Sequence, residues 1–80
     1  MATRKEIEGQ IDRLIHDAEH KEAGADFARM MARMQPNVPD HAQYAERAAK
    51  EAVDLRTQAA SLASEHGITV TEGEYGLEFS

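Results

Sequence analysis

Cysteine is missing from this 80-residue chain, and with it go disulfides and thiolate metal sites. Tryptophan is missing too, and aromatic residues are limited to two tyrosines and two phenylalanines. A core must then rely on Ala, Leu, Ile and Met, which are small or flexible fillers. A chain of this length makes one domain at most and buries only a modest fraction of its surface. With disulfides gone, the usual aids are a metal held by His and carboxylates, or association with another chain. We expect association, as a homodimer or a higher symmetric oligomer. No apolar run approaches the ~18 residues of a membrane span. The start MATRKEIEG lacks the apolar stretch of a signal peptide, so a soluble cytoplasmic protein is the expectation, with no membrane partner.

Basic residues stop early. All nine Lys and Arg lie at or before Arg56, against eleven Asp and Glu in that span; four Glu follow, within a net charge of −6. Direct nucleic-acid binding needs Lys and Arg to displace counterions, which argues against it here. A basic partner fits such a tail better than an acidic one.

What is present reads first as helix. Thr3 and Glu6 in TRKE have the spacing of a capping box. Ile7, Ile11, Leu14 and Ala18 then recur on one helical face, which continues as Ala25, Ala28 and Ala32. A second face gathers His16, His20, Ala23, Phe27, Met30, Met31 and Met34 on roughly the opposite side. Bulk therefore changes sides near Gly24. The chain either breaks at AGAD or continues as one helix of about 32 residues, near 48 Å long. A lone glycine costs only about 1 kcal/mol relative to alanine, and we favour the continuous helix.

QPNVPD (35–40) is a loop by its prolines, Asn and Asp, and Asp40 with Gln43 has the spacing of a second capping box. A short connection makes antiparallel neighbours. In the second helix Ala45, Ala52 and Ala59 fall seven apart, with Ala49 and Ala63 beside them, Tyr44, Leu55 and Leu62 on one border and Val53 on the other. This is the coiled-coil period, and alanine at the seam lets two backbones approach closely. Gly67 suits the left-handed residue after the last turn, with Ile68 making the accompanying apolar contact.

GITVTEGEYGLEFS alternates like two strands around a glycine-containing turn. The expected fold is mainly α: a long antiparallel helical hairpin (about 3–34 and 40–66) followed by a short C-terminal β-hairpin (about 68–79), packed in a homo-oligomer. Residues 1–66 would form the helical hairpin, and 67–80 the β-hairpin of the same domain. An isolated two-stranded hairpin is marginal in water, so its apolar side must lie on the helices or on a dimer mate. We expect its opposite side to be acidic or neutral.

Chemistry-bearing patterns are sparse. HDAEH (16–20) matches the letters of an H-x-x-E-H metal signature, and His16 and His20 at i, i+4 can share an ion. Two His within five residues occur often by chance, however, and a surface role is the stronger reading. Phe27, Met30, Met31 and Met34 form a soft apolar patch, suited to an oligomer interface or to an adaptable binding surface. Side chains at helix spacing, Glu22 and Asp26 with Arg29 and Arg33, and Glu46 with Lys50, read as a solvated face. There is no nucleophile elbow and no glycine-rich phosphate loop. We expect no enzyme and no cofactor.

The leading expectation is a small acidic protein-interaction module, in an adaptor, inhibitor or antitoxin-like role. It would engage a basic partner surface through Glu72, Glu74, Glu78 and Tyr75, and as a nucleic-acid mimic of the phage or mobile-element kind it would occupy a partner's basic groove. The rival readings are a metal- or small-ligand-binding oligomer built on His16 and His20, and a structural assembly subunit.

Overall fold

The computed structural model describes residues 2–80. Helix α1 runs Arg4–Met34 and α2 runs Pro39–Glu65; strands β1 (Val70–Gly73) and β2 (Gly76–Phe79) follow. The molecule measures 50 × 26 × 14 Å between Cα extremes. Its radius of gyration is 15.6 Å, against about 12 Å for a compact chain of this length. It is a narrow two-helix ribbon thickened at one end.

Helix α1 begins where the capping residue dictates. The Thr3 hydroxyl accepts from the Glu6 backbone N–H at 3.2 Å, relieving one of the unpaired donors of the first turn. The helix passes through Gly24 unbroken. Tyr44 of α2 packs over this glycine, its hydroxyl 3.4 Å from an ideal Cβ at Gly24, the distance of ordinary van der Waals contact.

The second helix starts differently from the sequence expectation. Val38 occupies the N-cap without a side-chain hydrogen bond, Pro39 takes the first turn, and Asp40 lies inside the helix. Asp40 and Gln43 therefore form no capping box. Proline wins this position because its fixed φ already suits a helix and its missing N–H would have been unpaired anyway. Asp40 then sits in the first turn, where the helix dipole favours a negative charge. Across the loop, Gln35 Oε1 and His41 Nε2 are 2.9 Å apart.

The core has two regimes. Towards the loop only alanines are buried: Ala25 and Ala28 of α1 against Ala45, Ala48 and Ala52 of α2. Towards the chain ends the core thickens into Ile7, Ile11, Ile15, Ala59, Ala63 and Ile68, flanked by Leu14, Leu62, Val70, Leu77 and Phe79. Ile11, at 0% exposure, is the one large side chain fully enclosed among the described residues. Ile15 rather than Leu14 continues the buried stripe, because the β-hairpin rests on that side of α1 and lines a groove with Ile15. Ala48 likewise replaces Ala49 on the buried seam of α2, with Ala49 and Ala32 half-buried, and Val53 is exposed.

The end of α2 is a Schellman motif. Ile68 N–H donates to Ala63 O at 2.9 Å and Gly67 N–H to Ser64 O at 3.2 Å. Gly67 sits at φ 62°, where a Cβ would be strained. Ile68 then packs into the core cluster with Ala63, which supplies the apolar contact typical of this cap.

The strands pair antiparallel, Val70 with Phe79, Thr71 with Glu78, Glu72 with Leu77 and Gly73 with Gly76. Thr69 and Ser80 exchange both backbone hydrogen bonds at 2.8 and 2.9 Å, extending the ladder to the last residue. Glu74 and Tyr75 make the turn without positive φ, and Gly76 at φ 121° absorbs the reversal. Cross-strand partners share a face. Val70, Glu72, Leu77 and Phe79 thus lie together, and Val70, Leu77 and Phe79 pack on the helical core. Glu72 is a correction to the expected division: it sits on the apolar side of the hairpin. No helix is long and apolar enough to cross a membrane, among the described residues.

Candidate interaction surfaces

Register along the helical hairpin brings charges together that are far apart in sequence. Arg56 reaches across from α2 to Glu22 of α1 in a two-pronged contact, Nε to Oε2 and Nη2 to Oε1, each 2.8 Å. Its remaining Nη1 lies 3.6 Å from Glu72 Oε1 on β1. Lys21 Nζ pairs with Glu51 at 2.8 Å on the other edge. The Glu22 carboxyl is held below its ordinary value by the Arg56 hydrogen bond, with desolvation opposing and charge attraction assisting. The Glu51 carboxyl is lowered by its hydrogen bond and attraction to Lys21, whose own value rises for the same reason. Glu22 was expected to pair along its own helix. The planar, forked guanidinium across the groove is the better match for a carboxylate. Of the local pairs, Asp26 with Arg29 forms at 3.0 Å, while Glu46 and Lys50 form none among the described residues.

Glu72 is drawn to Arg56, yet it still exposes most of its side chain. Glu78 lies on the outer face and folds over Gly73, its Oε1 2.8 Å from where a Cβ would sit there. Tyr75, at 98% exposure, occupies the turn and touches nothing that would explain an aromatic ring. Alternation alone would put it on the apolar side with Leu77 and Phe79; the two-residue turn takes it out of the strand. Glu74, beside it, is exposed as well.

The β-hairpin leaves a groove on each side. One, of about 580 Å³, is lined by Ile11, Ile15, Ala59, Ala63, Ile68 and Val70 with Arg56 and Glu72 at its rim. The other, of about 270 Å³, lies against α1 and carries Asp12, His16, Glu19 and Glu72. His16 and His20 are exposed, with ring centroids 6.2 Å apart. Among the described residues no three His, Cys, Asp or Glu side chains gather to hold a metal ion.

No family model, curated protein or solved structure matches the chain. Function must be argued from these surfaces. Two are prominent. The chain-end half, residues 2–18 and 54–80, carries four basic and nine acidic side chains; residues 19–53 carry five and six. The second surface is the outer face of α1, where Phe27 is 61%, Met30 43% and Met34 69% exposed. Met31 turns inward and is half-buried, so the expected four-residue patch is three residues wide. The Arg56–Glu22 pair and the Gly24–Tyr44 contact escaped the sequence reading. Their signal was available only as register: a loop at 35–38 sets the 20s of α1 opposite the 40s and 50s of α2.

Proposed function

We propose that this chain is a non-enzymatic protein-interaction module that engages a basic surface of another protein through its β-hairpin tip. Tyr75 carries the reading. A ring left 98% exposed, next to Glu74 in the turn of a hairpin whose strands carry Glu72 and Glu78, has the character of an interface anchor. Tyrosine supplies large contact area at little conformational cost. The surrounding acid steers a basic partner and excludes acidic ones. Adaptor, inhibitor and antitoxin-like roles all fit this arrangement, with occupation of a nucleic-acid-binding groove as its inhibitory form.

The test compares the proteins retained by immobilised wild-type chain with those retained by Tyr75→Ala and by Glu74→Lys/Glu78→Lys. Both changes lie on exposed positions and leave the helical hairpin intact. The expected result is a partner retained by wild type, lost from both variants, and released progressively by salt. A partner held equally by all three chains, with no salt dependence, would overturn the reading.

A further inference from the structure

The outer face of α1 has a pattern beyond its exposure. His16, His20, Ala23, Phe27, Met30 and Met34 are spaced four, three, four, three and four apart. This is an unbroken heptad seam, about 27 Å long by helix rise. It lies opposite the alanine face that α2 covers, and all six of its members are exposed, Phe27 and Met34 the most among its large apolar residues.

From this we infer that the seam is the interface of an antiparallel homodimer, formed around a two-fold axis level with Ala25. The spacing reads the same in both directions. A second copy turned end for end therefore sets His16 level with Met34, His20 with Met30, and Ala23 with Phe27. The large Phe27 ring meets the small Ala23 of the other chain, which is how facing layers interdigitate.

Charge fits the same register. Glu19 and Arg33 each directly precede a seam residue, so both flank it on one side. The two-fold axis keeps that flank in place and brings Arg33 of each chain within about 3 Å, along the helix axis, of the other chain's Glu19. Neither residue makes an ion pair within its own chain, among the described residues. Glu19 also borders the groove that holds Asp12 and Glu72, so the incoming arginine meets a concentration of negative charge. Asp26 is the like-charged residue nearest the axis, and Arg29 of the same chain already holds it at 3.0 Å.

Area points the same way. The chain exposes 5989 Å², whereas a folded monomer of its mass, 8.9 kDa, exposes about 4,800 Å². The excess exceeds the ~800 Å² that each partner loses in an ordinary stable interface.

Sedimentation equilibrium on the full chain tests this. Wild type should have twice the mass of the single chain. Phe27→Glu should weaken association about 30-fold or more while helicity by circular dichroism stays unchanged. Glu19→Arg and Arg33→Glu should each weaken it about tenfold, by setting like charges face to face. An equimolar mixture of those two variants should recover dimers, because every flanking contact is then attractive, and so should the double variant. A monomeric wild type overturns the proposal. So do charge variants that self-associate as tightly as wild type, or a mixture that yields no mixed dimer; these arms address the register and do not depend on the hairpin-tip reading.

Discussion

Arg56 connects more of this fold than any other side chain. It is the last basic residue in the sequence, and it ties α2 to Glu22 of α1 and to Glu72 of β1. Both Glu22 and Glu51 are held below their ordinary 4.5. Folding therefore gains from these carboxylates fully above pH 4.5, and the gain disappears as pH falls through their lowered folded values. Thermal melts should show a flat region near neutrality and a decline below pH 4.5. Glu22→Gln/Glu51→Gln should lower the neutral plateau and shrink that decline; an unchanged acid limb would mean that the two pairs contribute nothing. Replacing Arg56 by Met leaves Glu22 and Glu72 facing each other without a cation, and should detach the hairpin sooner than it unfolds the helices. Amide exchange at Thr69 and Ser80, whose N–H groups are bonded across the strands, reports that detachment.

The helices and the hairpin differ in how local their causes are. Thr3, Pro39 and Gly67 stop or start elements by short-range rules, and each does so where the structure places a boundary. Gly67→Ala should cost about 1–2 kcal/mol, since a Cβ at φ 62° is strained. For a domain this small that is roughly 4–8 °C per kcal/mol in melting temperature. The alanine seam makes a separate demand. Ala52 is buried between the helices at 1% exposure, and Ala52→Leu should push the backbones apart at about 1–3 kcal/mol. At the thick end the opposite change applies: Ile11→Ala should cost about 2–5 kcal/mol by leaving a cavity. Denaturant unfolding measures all three. If Ala52→Leu is neutral, the close approach of the helices is not a stabilising feature.

Taken together, the ribbon shape follows from where bulk was placed. Isoleucines and the β-hairpin build a real core at one end, while alanines let the helices close up at the other and turn Phe27, Met30 and Met34 outward. The antiparallel pairing inferred above would join two thin ends into a four-helix layer. It would also carry both β-hairpins on one face, because a two-fold axis perpendicular to the helices preserves that flank. Two acidic tips on one face make a bivalent binder, whose avidity depends on the spacing of the partner's sites. Small-angle scattering should therefore give a radius of gyration well above 15.6 Å for wild type and a value close to it for Phe27→Glu.

The order of elements, the loop at the prolines, the cap at Gly67 and the strand alternation were legible in the residues, because each depends on neighbours within one or two turns of chain. The split between the alanine seam and the Phe27/Met face was legible too, since helical period alone sorts residues by side. Position in space was not. Period two put Tyr75 with Leu77, yet the turn lifts it clear. Spacing along one helix offered Glu22 local partners, yet Arg56 lies across the groove. Helical period put Leu14 on the buried stripe, yet Ile15 takes that place because the β-hairpin comes down on its side of α1. For Glu22 and Ile15 the deciding energy is an interaction between segments tens of residues apart, with a register set by the folded chain and by no local pattern; for Tyr75 it is where the turn falls between the paired glycines.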